Sequence, residues 1–140
     1  MIIETLQKED LESYKALMDE SFGGSNSLEV YQQKYQVDGP YNILVAKEGK
    51  RIIGSITFYR IDLFTYSFQP AFEIFNVAVL NEYRGQKIAK QLFTNIIDYA
   101  KDHGYKSIFL TCLDTATAAH RLYESVGFKK TSSVKYSLIL

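Results

Sequence analysis

The stretch from Val77 to Leu92 has the residue types and spacing best suited to chemistry: an apolar strand, a short polar turn, then an amphipathic helix. Exposed amides at a helix N-terminus favour an anion by about 0.3 to 1 kcal/mol through the dipole, and each charge-assisted hydrogen bond adds roughly 1.5 to 3 kcal/mol. Gly85 and Ala89 are small enough for a phosphate to approach the backbone, and Arg84 adds a cation. Arg84 through Lys90 carries three cations and no carboxylate, although such a run is also what a solvated helix face looks like. No GxxxxGK[ST] and no GxGxxG occurs, which removes the two commonest phosphate loops. Glu73 is the other conspicuous residue, because it interrupts an apolar strand between Phe72, Ile74 and Phe75.

The elements that must position these residues are legible from hydrophobic periodicity. Residues 2 to 7 read as a strand and Glu9 to Phe22 as a helix, with Leu11, Tyr14, Met18 and Phe22 at helical spacing. A short helix from Leu28 to about Gln36 has Ser27 as its N-cap. A hairpin follows, Asn42 to Ala46 and Arg51 to Tyr59 around a Glu48-Gly49-Lys50 turn, then a strand from Ala71 to Val79. From Gln86 to Asp102 the residues Ile88, Ala89, Leu92, Phe93, Ile96, Ile97 and Ala100 form a broad apolar stripe that Gly104 terminates. A strand at Ser107 to Leu113, a helix from Thr117 to Val126 and a last strand from Val134 to Ile139 complete the order βααβββαβαβ.

Composition sets the class. The 140 residues are 46% hydrophobic and 23% charged with two prolines, as expected for one globular domain over residues 1 to 140. A single cysteine, no long apolar run and no basic-then-apolar leader point to a reducing cytoplasmic compartment, with no membrane partner. Net charge is zero, which argues against a nucleic-acid partner. Residues 1 to 50 hold five basic and nine acidic side chains, net minus four, and residues 51 to 140 hold eleven and seven, net plus four. An anion is therefore expected in the C-terminal part, while the acidic N-terminal part would steer a cationic acceptor.

The run Val77-Ala78-Val79-Leu80-Asn81-Glu82-Tyr83-Arg84-Gly85-Gln86-Lys87-Ile88-Ala89 resembles the central motif of the GNAT superfamily of acetyl-coenzyme A (acetyl-CoA) dependent N-acetyltransferases, a strand followed by [QR]xxGx[GA] and a helix. Ala119-His120-Arg121-Leu122-Tyr123-Glu124-Ser125-Val126-Gly127-Phe128 resembles its second signature, Ala-x-x-Leu-Tyr-x-x-x-Gly-Phe. Two positions depart from the pattern: Lys87 stands where the family usually has glycine, and Ala116 where many members have asparagine. The resemblance implies an α/β (α+β) fold, a mixed, mostly antiparallel central sheet flanked by helices and splayed at the cofactor cleft. It also implies acetyl-CoA as co-substrate, with pantetheine paired to the backbone of Val77, Ala78 and Val79. The pyrophosphate would lie on the amides of Arg84, Gly85, Gln86, Lys87, Ile88 and Ala89, where the Lys87 ammonium adds a possible phosphate contact.

The same resemblance assigns roles in transfer of the acetyl group to a primary amine, a small molecule or a peptide. Such an amine, of pKa near 10.4, needs about 4.6 kcal/mol to shed its proton at pH 7, so a base is useful. Glu73 corresponds to a base in some members, acting directly or through water, and burial in its strand would suit it to act near neutrality. The competing reading leaves Glu73 in solvent or paired with a lysine. Tyr123 would stand beside the thioester sulfur and donate to the departing thiolate. Transfer from a phenol near 10 to a thiol near 8.5 is uphill by about 2 kcal/mol, which favours hydrogen bonding over full transfer. Alternatively Tyr123 only packs, as Leu122 and Val126 do. A backbone N–H near Val77 would serve the oxyanion.

The other notable residues read as structural. His103 and His120 lack companions at metal-ligand spacing, so no metal is expected, and Cys112 reads as a small buried hydrophobe within its strand. Tyr31, Tyr35, Phe64, Tyr66 and Phe68 would wall an acceptor pocket, fill the core or form a homodimer contact. A non-catalytic acyl-CoA binding or sensing module of the same fold is the alternative function.

Overall fold

The computed structural model describes residues 1–35 and 39–140, and of Tyr66 the backbone alone. Its elements are β1 (Ile2–Thr5), α1 (Leu11–Phe22), α2 (Leu28–Lys34), β2 (Tyr41–Glu48), β3 (Arg51–Leu63), β4 (Gln69–Val79), α3 (Ile88–Asp102), β5 (Ser107–Phe109) and α4 (Thr117–Ser125). The five strands lie side by side in chain order, antiparallel except for the parallel β4–β5 pair. This is the mixed, mostly antiparallel sheet flanked by helices that the sequence predicts.

Helices cover both faces of the sheet, which is why the middle of β3, Ile52 through Thr57, is buried without alternation. On one face α1 contributes Leu11, Tyr14, Leu17 and Met18, and its Ser13 hydroxyl accepts from the Ile52 N–H at 2.8 Å. On the other face α3 buries Ile88, Leu92, Phe93, Ile96 and Ala100, each large side chain contributing roughly 1.5 to 3 kcal/mol. Ser27 caps α2 as expected, accepting from the Val30 N–H at 3.3 Å. The expected end of this helix at Gln36 lies outside the described residues.

Three expectations fail. The strand predicted over 107–113 stops at Phe109, leaving Cys112 exposed rather than buried. The strand predicted at Val134 to Ile139 does not form, and residues 129–140 are exposed without a regular element. The connection expected from Ile61 to Pro70 is instead half strand, with β3 and β4 paired out to Leu63 and Gln69. A strand needs a partner to satisfy its backbone, and alternation in the sequence does not supply one.

Candidate active site

The site is organised by the way β4 separates from β5. Their parallel pairing covers Ala71, Phe72 and Glu73 only, so beyond Glu73 the β5-facing edge of β4 has no strand partner among the described residues. Across β3, the register slips: Thr57 faces Phe75 and Ser55 faces Ala78, so β4 carries one extra residue. The extra residue is accommodated by Asn76, whose φ of 52° places it in the left-handed region, where asparagine is tolerated better than most side chains. The bulge turns the chain at Asn76 and Val77, beside an edge whose amides and carbonyls are open to an extended ligand.

The end of β4 leads into a short turn, Asn81–Tyr83, held from two sides. Glu20 at the end of α1 accepts from the Asn81 N–H at 3.0 Å, and Arg51 pairs with Glu82 at 2.5 Å. The chain then extends through Arg84, turns at Gly85 with φ 81° and again at Lys87 with φ 60°, and enters α3. Left-handed backbone at Lys87 gives a physical reason for glycine to be usual there. Lysine holds the same conformation here. The amides of Gly85 through Ala89 find no backbone partner among the described residues, whereas the Arg84 amide donates to the Asn81 carbonyl at 3.2 Å. Of the six amides expected to face an anion, those of Gly85 through Ala89 thus lack a backbone partner among the described residues, and the Arg84 side chain is exposed.

Glu73 is half-buried, opposite Tyr59 on β3 and Phe109 on β5, on the sheet face that also carries Phe75 and Thr57. Tyr123 is half-buried on α4 against Phe93, their rings 5.5 Å apart. Burial, and next Cys112, push the Tyr123 phenol above its ordinary range, so it stays protonated through neutral pH. Nearby, His120 Nε2 donates to the Leu113 carbonyl at 2.9 Å and lies 3.7 Å from Cys112 Sγ. His103 lies on α3's last turn, Nδ1 2.8 Å from the Tyr99 carbonyl, far along the helix from the loop.

A pocket of about 410 Å³ opens on the α1 side of the sheet. Tyrosines from four elements and a cap wall it: Tyr14, Tyr31, Tyr35, Tyr41 and Tyr59, with Asn76 at the bulge marking its border with β4. Of the aromatic residues expected there, Tyr31 and Tyr35 are present. Phe64 and Phe68 are not; they pack on each other at 5.1 Å, exposed at the far end of the β3–β4 hairpin. Thr57 lines the pocket with a buried hydroxyl that neighbours Tyr14 without forming a hydrogen bond of acceptable geometry. Burial pushes the Tyr14 phenol up to about 12. Sequence reasoning missed Asn76, Thr57 and Glu20, because each acts through a position that only tertiary structure defines.

The model of the acetyltransferase (GNAT) family matches residues 4–128, and the chain belongs to that family. It is 34% identical to human (Homo sapiens) N-acetyltransferase 8B over 87 residues, 62% of this chain and 38% of that protein. The chain thus spans well under half the length of that relative. Among solved structures, a putative acetyltransferase from Agrobacterium tumefaciens superposes with a TM-score of 0.87 at 18% identity, over 100% of both chains. AAC(6')-Iy in complex with the bisubstrate analog CoA-S-monomethyl-acetylneamine superposes at 0.82 with 16% identity, over 99% of this chain and 97% of that one. At such identities the structures share the fold. No helix among the described residues is long and apolar enough to cross a membrane.

Proposed function

We propose that residues 1 to 140 form one N-acetyltransferase domain that passes the acetyl group of acetyl-CoA to a primary amine by direct attack. The observation that carries this reading is the open edge of β4 beyond Glu73, running through the Asn76 bulge to the free amides of Gly85 through Ala89. An extended pantetheine pairs with Val77, Ala78 and Val79 along that edge, and the pyrophosphate rests on the amides, with the guanidinium of Arg84 and the ammonium of Lys87 beside it. The amine nitrogen bonds to the thioester carbonyl carbon, the carbon–sulfur bond breaks, and the nitrogen's proton passes to Glu73 directly or through water. Tyr123 donates to the departing thiolate, and the N–H at Val77 stabilises the oxyanion.

The acceptor occupies the tyrosine-walled pocket on the face that carries Glu73. Within the N-terminal part Lys47 holds Glu4 and Asp10 at 3.0 and 2.9 Å and Lys15 holds Asp19, ion pairs already included in its net charge of minus four. Lys34 is the charged residue among the described lining, with phenols, amides and the Thr57 hydroxyl around it. These donors suit an amine whose remaining part is neutral or carries a carboxylate, and disfavour a polycation.

Isothermal titration with acetyl-CoA, followed by thiol release against a panel of amines, tests the reading. Binding with amine-dependent release is expected, fastest for amino-acid-like acceptors and slowed at least tenfold in kcat by Glu73→Gln with acetyl-CoA affinity kept. Absence of binding would overturn the assignment of the β4 edge and loop, and binding without release for any amine would point to a sensing module instead.

A further inference from the structure

The tyrosine-walled pocket carries charge at one point. Its described lining includes phenols, carboxamides and hydroxyls but no carboxylate, and Lys34 is the one charged residue among them. Lys34 is the last residue of α2, and strand register sets how far it stands from Glu73. Tyr41 on β2 lies opposite Tyr59 on β3, and Tyr59 lies opposite Glu73 on β4. Residues directly opposite one another on neighbouring strands project from the same face of a sheet, so Glu73, Tyr59 and Tyr41 form one row. Two strand spacings, roughly 9 to 10 Å, separate its ends.

Lys34 is fastened at the Tyr41 end of this row. The Tyr41 phenol donates to the Lys34 carbonyl at 2.7 Å, and the phenol of Tyr35, the next residue, donates to the Leu6 carbonyl at 3.2 Å. Neither bond uses the lysine ammonium, and no carboxylate among the described residues pairs with it. Between this end and Glu73 the floor is aromatic and neutral, with the Tyr41 and Tyr59 rings 5.5 Å apart and the Tyr59 and Phe75 rings 5.3 Å apart. A ligand along the row therefore meets a proton acceptor at one end, an uncharged span in the middle and a cation at the other. One ammonium balances one negative charge, which fits a carboxylate, whereas a phosphate of charge near minus two would keep about half of it uncompensated.

We propose that Lys34 selects the acceptor, a primary amine with a carboxylate about 10 Å from its nitrogen, bound with the nitrogen at Glu73 and the carboxylate at Lys34. The inference rests on the pocket being the acceptor site. Among amino-acid-like acceptors, an α-amino acid has a single carbon between the two groups and cannot reach both ends of the row. ω-Amino carboxylates with a long methylene chain reach both, and so do tripeptides, since three extended residues span about 10 Å. The methylene or peptide span lies over Tyr59 and Tyr41. A second ammonium in place of the carboxylate is repelled by Lys34.

Thiol release from acetyl-CoA is measured with glycine, 4-aminobutanoate, 8-aminooctanoate and triglycine, each beside its uncharged carboxamide, with rates compared per unprotonated amine. For 8-aminooctanoate or triglycine, kcat/KM is expected at least tenfold above that of glycine and at least tenfold above that of its own carboxamide, the second difference lying in KM. Whichever of the two long acids is faster tells a methylene span from a peptide. In Lys34→Gln the acid-to-carboxamide ratio is expected to fall below threefold, and Lys34→Arg is expected to keep it, a rescue that a structural role alone would not require. Lys34→Glu is expected to turn the preference toward 1,8-diaminooctane. Glycine equalling the long acids, carboxamides equalling their acids, or a ratio kept in Lys34→Gln would each overturn the proposal. Release continues in all three of those cases, so the acetyltransferase reading stands without it, whereas no release with any amine would overturn both.

Discussion

Gly54 on β3 lies so close to Ile88, the first residue of α3, that a Cβ on the glycine would stand 2.9 Å from Ile88 Cγ2. The same Cβ would meet the Ala78 carbonyl at 3.3 Å, so backbone as well as side chain is in the way. This contact fixes the start of α3, and with it the amides of Gly85 through Ala89, against the end of β4. Gly54→Ala should therefore lose about 1 to 3 kcal/mol of stability in denaturant unfolding, the usual penalty for overpacking. It should also raise the KM for acetyl-CoA more than that of the amine. Stability unchanged within about 0.5 kcal/mol would mean that α3 does not sit this close.

Lys87 holds left-handed backbone that costs an L-residue roughly 1 to 2 kcal/mol, while glycine forfeits only about 0.5 to 1 kcal/mol of chain entropy. Lys87→Gly is accordingly expected to stabilise the protein by up to about 1 kcal/mol. If main-chain amides hold the pyrophosphate, acetyl-CoA affinity changes less than threefold, with a shallower dependence on salt. A tenfold loss of affinity would instead assign the phosphate contact to the ammonium.

The motif loop is legible because it is a strand-to-helix junction, a pattern that small residues and apolar spacing record. α3 was legible for the same reason: seven apolar residues at helical spacing leave one solution. The bulge at Asn76 was not, because nothing in Phe75-Asn76-Val77 alone demands left-handed backbone; the mismatch between β3 and β4 imposes it. The tyrosine-walled pocket was half legible. Tyr31 and Tyr35 share a helix face, but Tyr14, Tyr41 and Tyr59 join them only once α1, β2 and β3 are packed. At the C-terminus the alternation of Val134 to Ile139 predicts a strand that does not form, because a strand's pairing partner is not encoded in its own alternation.

Tyr14 offers a test of the pocket's interior. Its phenol is pushed up to about 12 by burial, so the folded state favours the protonated form. The stabilisation is fully present below the ordinary tyrosine value near 10 and is lost as pH rises toward 12. Over that window urea unfolding should show a loss of up to about 3 kcal/mol attributable to this residue, and Tyr14→Phe should flatten the profile by that amount. An identical slope in the variant would mean that other tyrosines carry the alkaline transition. At neutral pH the hydroxyl remains a donor inside the pocket, beside the buried Thr57 hydroxyl, so Tyr14→Phe should also raise the KM of the amine without altering that of acetyl-CoA.

Tyr123 separates packing from chemistry most sharply. Its ring rests against Phe93 and Phe128, contacts that phenylalanine would keep, and its hydroxyl has no hydrogen-bond partner among the described residues. Removing that oxygen should move stability by no more than about 0.5 kcal/mol. A phenol raised by burial is a poorer proton donor than free tyrosine, so complete transfer to a thiolate becomes more uphill while a hydrogen bond to its developing charge remains available. Such a bond contributes roughly 1.5 to 3 kcal/mol, which converts to a loss of about 10- to 150-fold in kcat for Tyr123→Phe, with acetyl-CoA binding unchanged by titration. Retention of kcat in a variant that folds and binds would reduce Tyr123 to a packing residue and leave the departing thiolate to solvent.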